Sequence, residues 1–221
     1  MVVTDWQIDN YSAKYLSRLD EAALEKRDHQ ILELLDPNHD DEIMDIGAGE
    51  GRLVFLLAPK VKRVVAVESS VQSIRRARLA ARRSGFINIS FQVAGFLDFE
   101  AKPEVFSKIV TRDYLHHLMD VQKHVAIERI YRALRPGGVL LIQDIALPFP
   151  LTALTDRSPG ILDTITNEFG PEVASGFSRT LRRQHPTSVE NLEGILIKAG
   201  FEISLTNTQY GLYTTFHCIK Q

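Results

Sequence analysis

The chain has 221 residues, 44% hydrophobic and 24% charged, with a formal net charge of -2. That balance suits one soluble domain with a sizeable core, and it excludes a global positive field that would draw the protein to nucleic acid. A single cysteine, Cys218, excludes an internal disulfide and a multi-cysteine zinc site. No apolar run approaches the roughly 18 residues of a membrane span, and MVVTDWQIDN lacks the layout of a signal peptide, so a cytoplasmic protein is expected.

Residues 5–35 read as helical. EAALEKRDHQILELL carries Ala22, Leu24, Ile31, Leu34 and Leu35 among charges and stops at Asp36-Pro37. Short apolar runs then alternate with charged helical stretches. The runs are EIMDI (42–46), RVVAVE (63–68), INISFQV (87–93), FSKIVT (106–111) and GVLLIQDI (138–145). Near-continuous apolar character is what parallel strands covered on both faces require, so a doubly wound α/β sheet with right-handed crossovers is expected. Five prolines interrupt residues 146–186, which read as a functional insertion with helical patches. A last helix opens at Thr187, with Glu190 in the capping-box position, and closes at Gly200. EISLTNT and GLYTTFHCIK then read as a terminal hairpin.

The stretch IMDIGAGEGRL (43–53) places Gly47, Gly49 and Gly51 between a strand and a helix, the setting of a ligand-binding turn. A dinucleotide fingerprint wants glycine or alanine at position 52, where Arg52 stands, and no Walker-type lysine follows. Asp45 and Glu50 put carboxylates beside the loop, where they would repel a pyrophosphate and suit an ammonium. Glu68 ends the next strand, placed to accept hydrogen bonds from both ribose hydroxyls and to reject a 2′-phosphate. A ligand with a ribose, an ammonium and no phosphate is S-adenosylmethionine.

MDIGAGEGRL, AVE at 66–68, FSKIVTRDYLHHL and LRPGGVLLIQDI, in that order over residues 42–145, resemble the class I S-adenosylmethionine-dependent methyltransferases. The resemblance implies a Rossmann-like seven-stranded sheet of order 3-2-1-4-5-7-6, the last strand antiparallel, with helices on both faces. It implies an N-terminal helical lid (1–36) on a methyltransferase domain (37–221), with 146–186 covering the substrate. Asp45 and the backbone at Gly47 and Gly49 would face the methionine moiety, and Glu68 the ribose. Where the family commonly has an acidic adenine contact, this chain has Phe96. Either Phe96 presses on the ring while an N–H near Leu97 serves an adenine nitrogen, or it is a core residue; Asp98 lies two residues on.

The fourth strand runs out at TRD, at the edge where open α/β proteins bind ligands. RDYLHH resembles the RD-x-x-x-H segment of phosphoethanolamine-type methyltransferases, which places His117 at the family's histidine. Similar LHHL stretches occur in quinone-biosynthesis-like members. His117, with His116 beside it, is the candidate base or acceptor-orienting group, against the alternative of a helix-start histidine bonded to backbone. Arg112 is a candidate for the cofactor carboxylate or a substrate acid, Asp113 for a strand-end cap, and Asp120 for a helix N-cap.

Arg75, Arg76, Arg78, Arg82 and Arg83 read as the solvated face of one covering helix, and RTLRRQHP (179–186) as a second basic cluster. Tyr11 and Tyr15 are candidates to close over the cofactor. The expected activity is methyl transfer to oxygen or nitrogen of a small molecule, leaving S-adenosylhomocysteine, with no nucleic-acid partner and an open oligomeric state. TRDY stands where many amino-nitrogen methyltransferases have Asn-Pro-Pro-Tyr, and no cysteine lies near the site. An RNA or protein methyltransferase, a nicotinamide oxidoreductase and a non-catalytic partner protein are the rival readings.

Overall fold

Strand residues alternate between two faces, and the core of this chain follows that alternation. The structure is a computed structural model that describes residues 21–221, so Tyr11, Tyr15 and most of the expected lid lie outside the described residues. Helix α1 (Glu21–Leu35) precedes strand β1 (Glu42–Ile46), α2 (Arg52–Leu57), β2 (Arg63–Glu68), α3 (Val71–Arg83), β3 (Ile89–Val93) and β4 (Phe106–Arg112). Then come α4 (Asp120–Ala133), β5 (Leu134–Leu147), α5 (Leu154–Phe169), α6 (Pro171–Arg183), β6 (Thr187–Ser188), α7 (Val189–Ala199), β7 (Phe201–Gln209) and β8 (Tyr213–Lys220). Met44, Ile46, Val65, Val67 and Ile109 face Ala126, Ile127 and Ile130 of α4 and Leu192 and Leu196 of α7. Ile43, Val64, Ala66 and Val110 face Ile31 and Leu35 of α1 and Leu53, Val54 and Leu57 of α2.

The sheet runs β3-β2-β1-β4-β5-β8-β7, with β6 paired off the path to β5. This is the expected path, renumbered because the two-residue β6 takes a place in the count. β8 is antiparallel to both β5 and β7. The order reverses between β1 and β4, which sets a crevice at the carboxyl ends of those strands.

Several boundaries differ from the sequence reading. β5 runs from Leu134 to Leu147, beyond 138–145 at both ends. The insertion is two regular helices, α5 and α6, despite Pro159 inside the first. Their Ile161, Ile165, Val173 and Phe177 form a separate apolar cluster with Leu147, Leu212 and Tyr213 at one end of the sheet. The cap of α7 is Ser188, not Thr187, because the Ser188 hydroxyl accepts from the Asn191 N–H at 3.1 Å. Asp120 is the first residue of α4 and Met119 holds the N-cap position. Gly200 does end α7, with φ of 104° and the Tyr131 ring 2.9 Å from where a Cβ would stand.

The five α3 arginines are exposed while Ile74, Ala77 and Ala81 are buried, the arrangement of a solvated covering helix. Cys218 is buried, and burial pushes its thiol up to about 12. Among the described residues no helix is long and apolar enough to cross a membrane.

Candidate functional site

The glycine turn is fastened to β2 by its backbone. The N–H groups of Gly47 and Ala48 both donate to the Val67 carbonyl, at 2.8 and 3.0 Å. Gly47 has φ of 86°, and a Cβ there would stand 2.6 Å from Cγ of Tyr114. Only glycine tolerates both the dihedral and the approach. At Gly49, with φ of 54°, a Cβ would meet nothing within 4 Å, so open space lies over that backbone.

Two carboxylates flank this space. Glu68 accepts from the Gly49 N–H on Oε2 at 3.0 Å, and on Oε1 from the Ser70 N–H at 2.8 Å and the Ser69 hydroxyl at 3.2 Å. A carboxylate offers about four lone-pair sites, so these bonds fix its orientation without exhausting it. Asp45 is buried, 3% exposed. Burial pushes its carboxyl up to about 7, with Arg112 opposing and Glu68 adding to the rise. Glu50, grouped with Asp45 in the sequence reading, instead points outward and pairs with Arg76 at 2.6 Å.

Arg52 and Arg112 converge on one carboxylate of α1. Asp28 receives Arg52 Nε at 2.5 Å and Arg112 Nη1 at 2.7 Å. Arg112, the candidate for the cofactor carboxylate, is thus held by Asp28. Next to it Arg27 pairs with Asp113 at 2.6 Å and also donates to the Tyr213 hydroxyl, which donates to Asp113 at 2.5 Å. Asp113 has φ of 54° and its N–H donates to the Gln143 carbonyl, a strand-end role.

Past Asp113 the Tyr114 side chain lies across the turn, from Gly47 to Ser69, whose hydroxyl it reaches at 3.0 Å. Its ring stacks on Phe96 at 5.1 Å between centroids. Phe96 is buried in the main core, with Leu97 half-buried against it. The structure therefore places Phe96 behind Tyr114, and it is Tyr114 that stands beside the glycine turn. Asp98 is exposed and caps its own turn by accepting from the Gly95 N–H at 2.6 Å.

The histidine loop rests on Asp144, a residue missed by the sequence reading. Its signal was a carboxylate inside the apolar run GVLLIQDI, since a buried charge must find partners. Asp144 Oδ2 accepts from the N–H groups of Tyr114, Leu115 and His116 at 2.9, 2.6 and 3.4 Å. Oδ1 accepts from Ile145 N–H and meets His116 Nδ1, both at 2.6 Å. For His116, burial opposes the charged form, but the adjoining Asp144 carboxylate outweighs it and holds the pKa above its ordinary value. For Asp144, burial is again the largest opposing effect, and the His116 charge with the N–H bonds holds its pKa below the usual carboxylate range.

His117 behaves in the opposite way. Burial, reinforced by the neighbouring His116, lowers its pKa and keeps the ring neutral. Its Nδ1 meets Oε1 of Gln184 at 2.9 Å, while Nε2 is shut from solvent with no hydrogen-bond partner among the described residues. The end of the insertion is locked onto this loop. His185 N–H donates to the His116 carbonyl at 2.9 Å. The buried Lys123 ammonium joins the carbonyls of His185 and Leu118, each at 2.7 Å, to Asp120 at 2.9 Å.

A cavity of about 770 Å³ opens beside this crevice, between α1 and the insertion helices, lined by Glu25, His29, Phe169, Phe177, Tyr210 and Tyr213 among others. Among the described residues no group of three His, Cys, Asp or Glu side chains could hold a metal ion.

The pattern of a family described as a methyltransferase domain matches residues 37–183. An uncharacterized methyltransferase of Geobacillus kaustophilus is 26% identical over 182 residues, covering 81% of this chain and 77% of the relative. A 23S rRNA (uracil(1939)-C(5))-methyltransferase of Aliivibrio fischeri is 38% identical over 78 residues, only 35% of this chain and 18% of that protein. The crystal structure of the N-methyltransferase NodS from Bradyrhizobium japonicum in complex with S-adenosyl-L-homocysteine superposes with a TM-score of 0.63 at 22% identity, over 89% of this chain and 86% of its own. What this chain shares with the last is the fold.

Proposed function

The chain belongs to the methyltransferase-domain family, and we propose that it transfers a methyl group from S-adenosylmethionine to oxygen or nitrogen of a small molecule. The observation that carries the reading is the placing of two carboxylates, the oriented Glu68 and the buried Asp45, beside the open backbone at Gly49. The residues fit the donor. Glu68 has lone pairs left for ribose hydroxyls and Asp45 for an ammonium, while the N–H groups of Gly47, Ala48 and Gly49 are already taken by Val67 and Glu68 rather than offered to a phosphate.

When bound, the donor supplies a sulfonium methyl; the acceptor lone pair bonds the methyl carbon as the carbon–sulfur bond breaks, and sulfur leaves as the neutral thioether of S-adenosylhomocysteine. Such a displacement depends mainly on alignment. The chain aligns by fixing the glycine turn on Val67 and the histidine loop on Asp144. Neutral His117 takes the acceptor's proton, and His116, held by Asp144, stays in place beside it. The described part of the N-terminal segment, 21–36, is tied to the sheet through Asp28 and Arg27 and serves as a lid, and 146–186 cover the acceptor, fastened at Gln184 and His185. The net charge of -2 and this cover favour a small acceptor over a macromolecule.

Calorimetric titration with S-adenosylmethionine and S-adenosylhomocysteine, followed by a tritiated-methyl screen over a metabolite library and bulk RNA, tests the reading. Binding of neither cofactor form overturns it, and label entering RNA alone overturns the small acceptor.

Two outcomes are expected of the cofactor site. Glu68→Ala loses about 1–3 kcal/mol of S-adenosylmethionine binding, from lost charge-assisted hydrogen bonds to the ribose; an unchanged dissociation constant in calorimetry refutes that role. Asp45 must ionise to pair with an ammonium, and its carboxyl titrates at about 7. Affinity therefore drops roughly tenfold for each pH unit below that point, and Asp45→Asn flattens the profile. The linkage to folding has the opposite sense. A carboxyl whose pKa is raised on folding contributes stability below its unfolded value of 3.8 and loses it as pH rises through about 7.

A further inference from the structure

We propose that Gln184 is a positioning residue that fixes the tautomer of His117, leaving Nε2 as the unprotonated base. The inference rests on the methyl-transfer reading above and narrows its acceptor to a molecule that brings an ionisable O–H or N–H. Gln184 presents its carbonyl oxygen to His117 Nδ1 at 2.9 Å. A carbonyl oxygen only accepts, so Nδ1 must carry the proton. A neutral imidazole has one ring proton, which leaves a bare lone pair on Nε2.

That lone pair is buried and has no partner among the described residues. An orphaned buried acceptor is costly, and such groups call for a ligand or a functional reason. A donor X–H on the acceptor molecule completes the bond, and X then attacks the methyl carbon as Nε2 takes the proton. A thioether or a tertiary amine has no proton to give and leaves Nε2 orphaned. The charged or titratable groups around His117 are His116, Asp144 and Asp113, with the Tyr114 ring edge-on at 5.7 Å. None of these offers a hydrogen bond to Nε2.

The position of Gln184 is built rather than incidental. It follows the last turn of α6, and its neighbour His185 is tied by both backbone groups, through N–H to His116 and through its carbonyl to Lys123. The covering insertion thus delivers one amide to one ring nitrogen. In chemical terms the segment that roofs the acceptor also sets which nitrogen is the base.

Long-range proton–nitrogen correlation spectra of the full chain, labelled with ¹⁵N-histidine, read the tautomer directly, the His117 signals being assigned by their loss in His117→Gln. Wild type is expected to show the proton on Nδ1 at mildly alkaline pH. In Gln184→Leu the proton moves to Nε2, the site an unconstrained imidazole prefers, while Gln184→Glu, which also only accepts, keeps it on Nδ1. A wild-type His117 protonated on Nε2, or an unchanged Nδ1–H signal in Gln184→Leu, overturns the proposal. Calorimetry with S-adenosylmethionine on the same samples separates this from the parent reading, since the tautomer assignment survives or fails whatever the cofactor does.

Discussion

An Asp144→Ala variant is expected to lose about 3–5 kcal/mol of folding stability, the cost of removing one partner of a buried ion pair. The magnitude follows from what the carboxylate holds. His116 would remain buried beside an empty position, and the N–H groups of Tyr114, Leu115 and Ile145 would lose their acceptor. Asp144→Asn keeps an acceptor oxygen for part of this set and should fall between. Chemical denaturation read by fluorescence and circular dichroism measures both, and an Asp144→Ala midpoint equal to wild type refutes the account. The pH dependence carries the same signature. Asp144, with its pKa lowered on folding, stabilises above its unfolded value near 3.8 and loses that contribution in acid. His116, with its pKa raised, stabilises below its unfolded value of 6.5 and loses that contribution as pH rises through its folded value. The pair is therefore at full strength between about 4 and 6.5, taken from those two reference values, and His116→Gln should remove the alkaline limb.

For His117→Ala, turnover on the acceptor found by the screen is expected to drop roughly 10²–10⁴-fold, the usual worth of one general base. S-adenosylmethionine binding should hold, because His117 stands past the end of β4 while Asp45 is the last but one residue of β1 and Glu68 the last of β2. The two measurements divide the possibilities. Lost turnover with intact binding marks a proton-transfer role; wild-type turnover returns His117 to the framework of the loop. Because burial and His116 hold its pKa below the ordinary value, activity should survive into mild acid further than a normal imidazole allows. Below the lowered pKa the ring protonates and the base is lost.

The parts of this site that were legible in the sequence are those whose partners are close in the chain or that follow a strand period. EIMDI, the alternate glycines and the acid ending RVVAVE declare a strand, a turn and a second strand end, and the turn does close on Val67 and Glu68. What stayed hidden depends on long-range pairing. His116 meets Asp144 across 28 positions, His117 meets Gln184 across 67, and Arg112 meets Asp28 across 84. No local pattern encodes those meetings. Asp144 did carry a trace, a charge in an apolar strand, without naming its partner. The prolines of the insertion misled for a physical reason as well. Pro171 stands at a helix start, where its missing N–H is harmless, and the actual break is Gly170 with φ of 87°. Phe96 illustrates the remaining limit: its type fits both a core and a ring contact, and only packing placed Tyr114 between it and the glycine turn.

Asp28 has a kinetic consequence. By accepting from both Arg52 and Arg112 it offsets one of their two positive charges beside the crevice, so that less positive charge opposes the carboxylates of Asp45 and Glu68. S-adenosylmethionine carries a net positive charge and feels that field before contact. Encounter is then steered rather than random, faster in dilute buffer and slowed by salt over a Debye length of about 8–10 Å. The product, having lost its sulfonium, is neutral and receives no such pull. One carboxylate on the first helix thereby helps the crevice draw in the donor more than what is left of it.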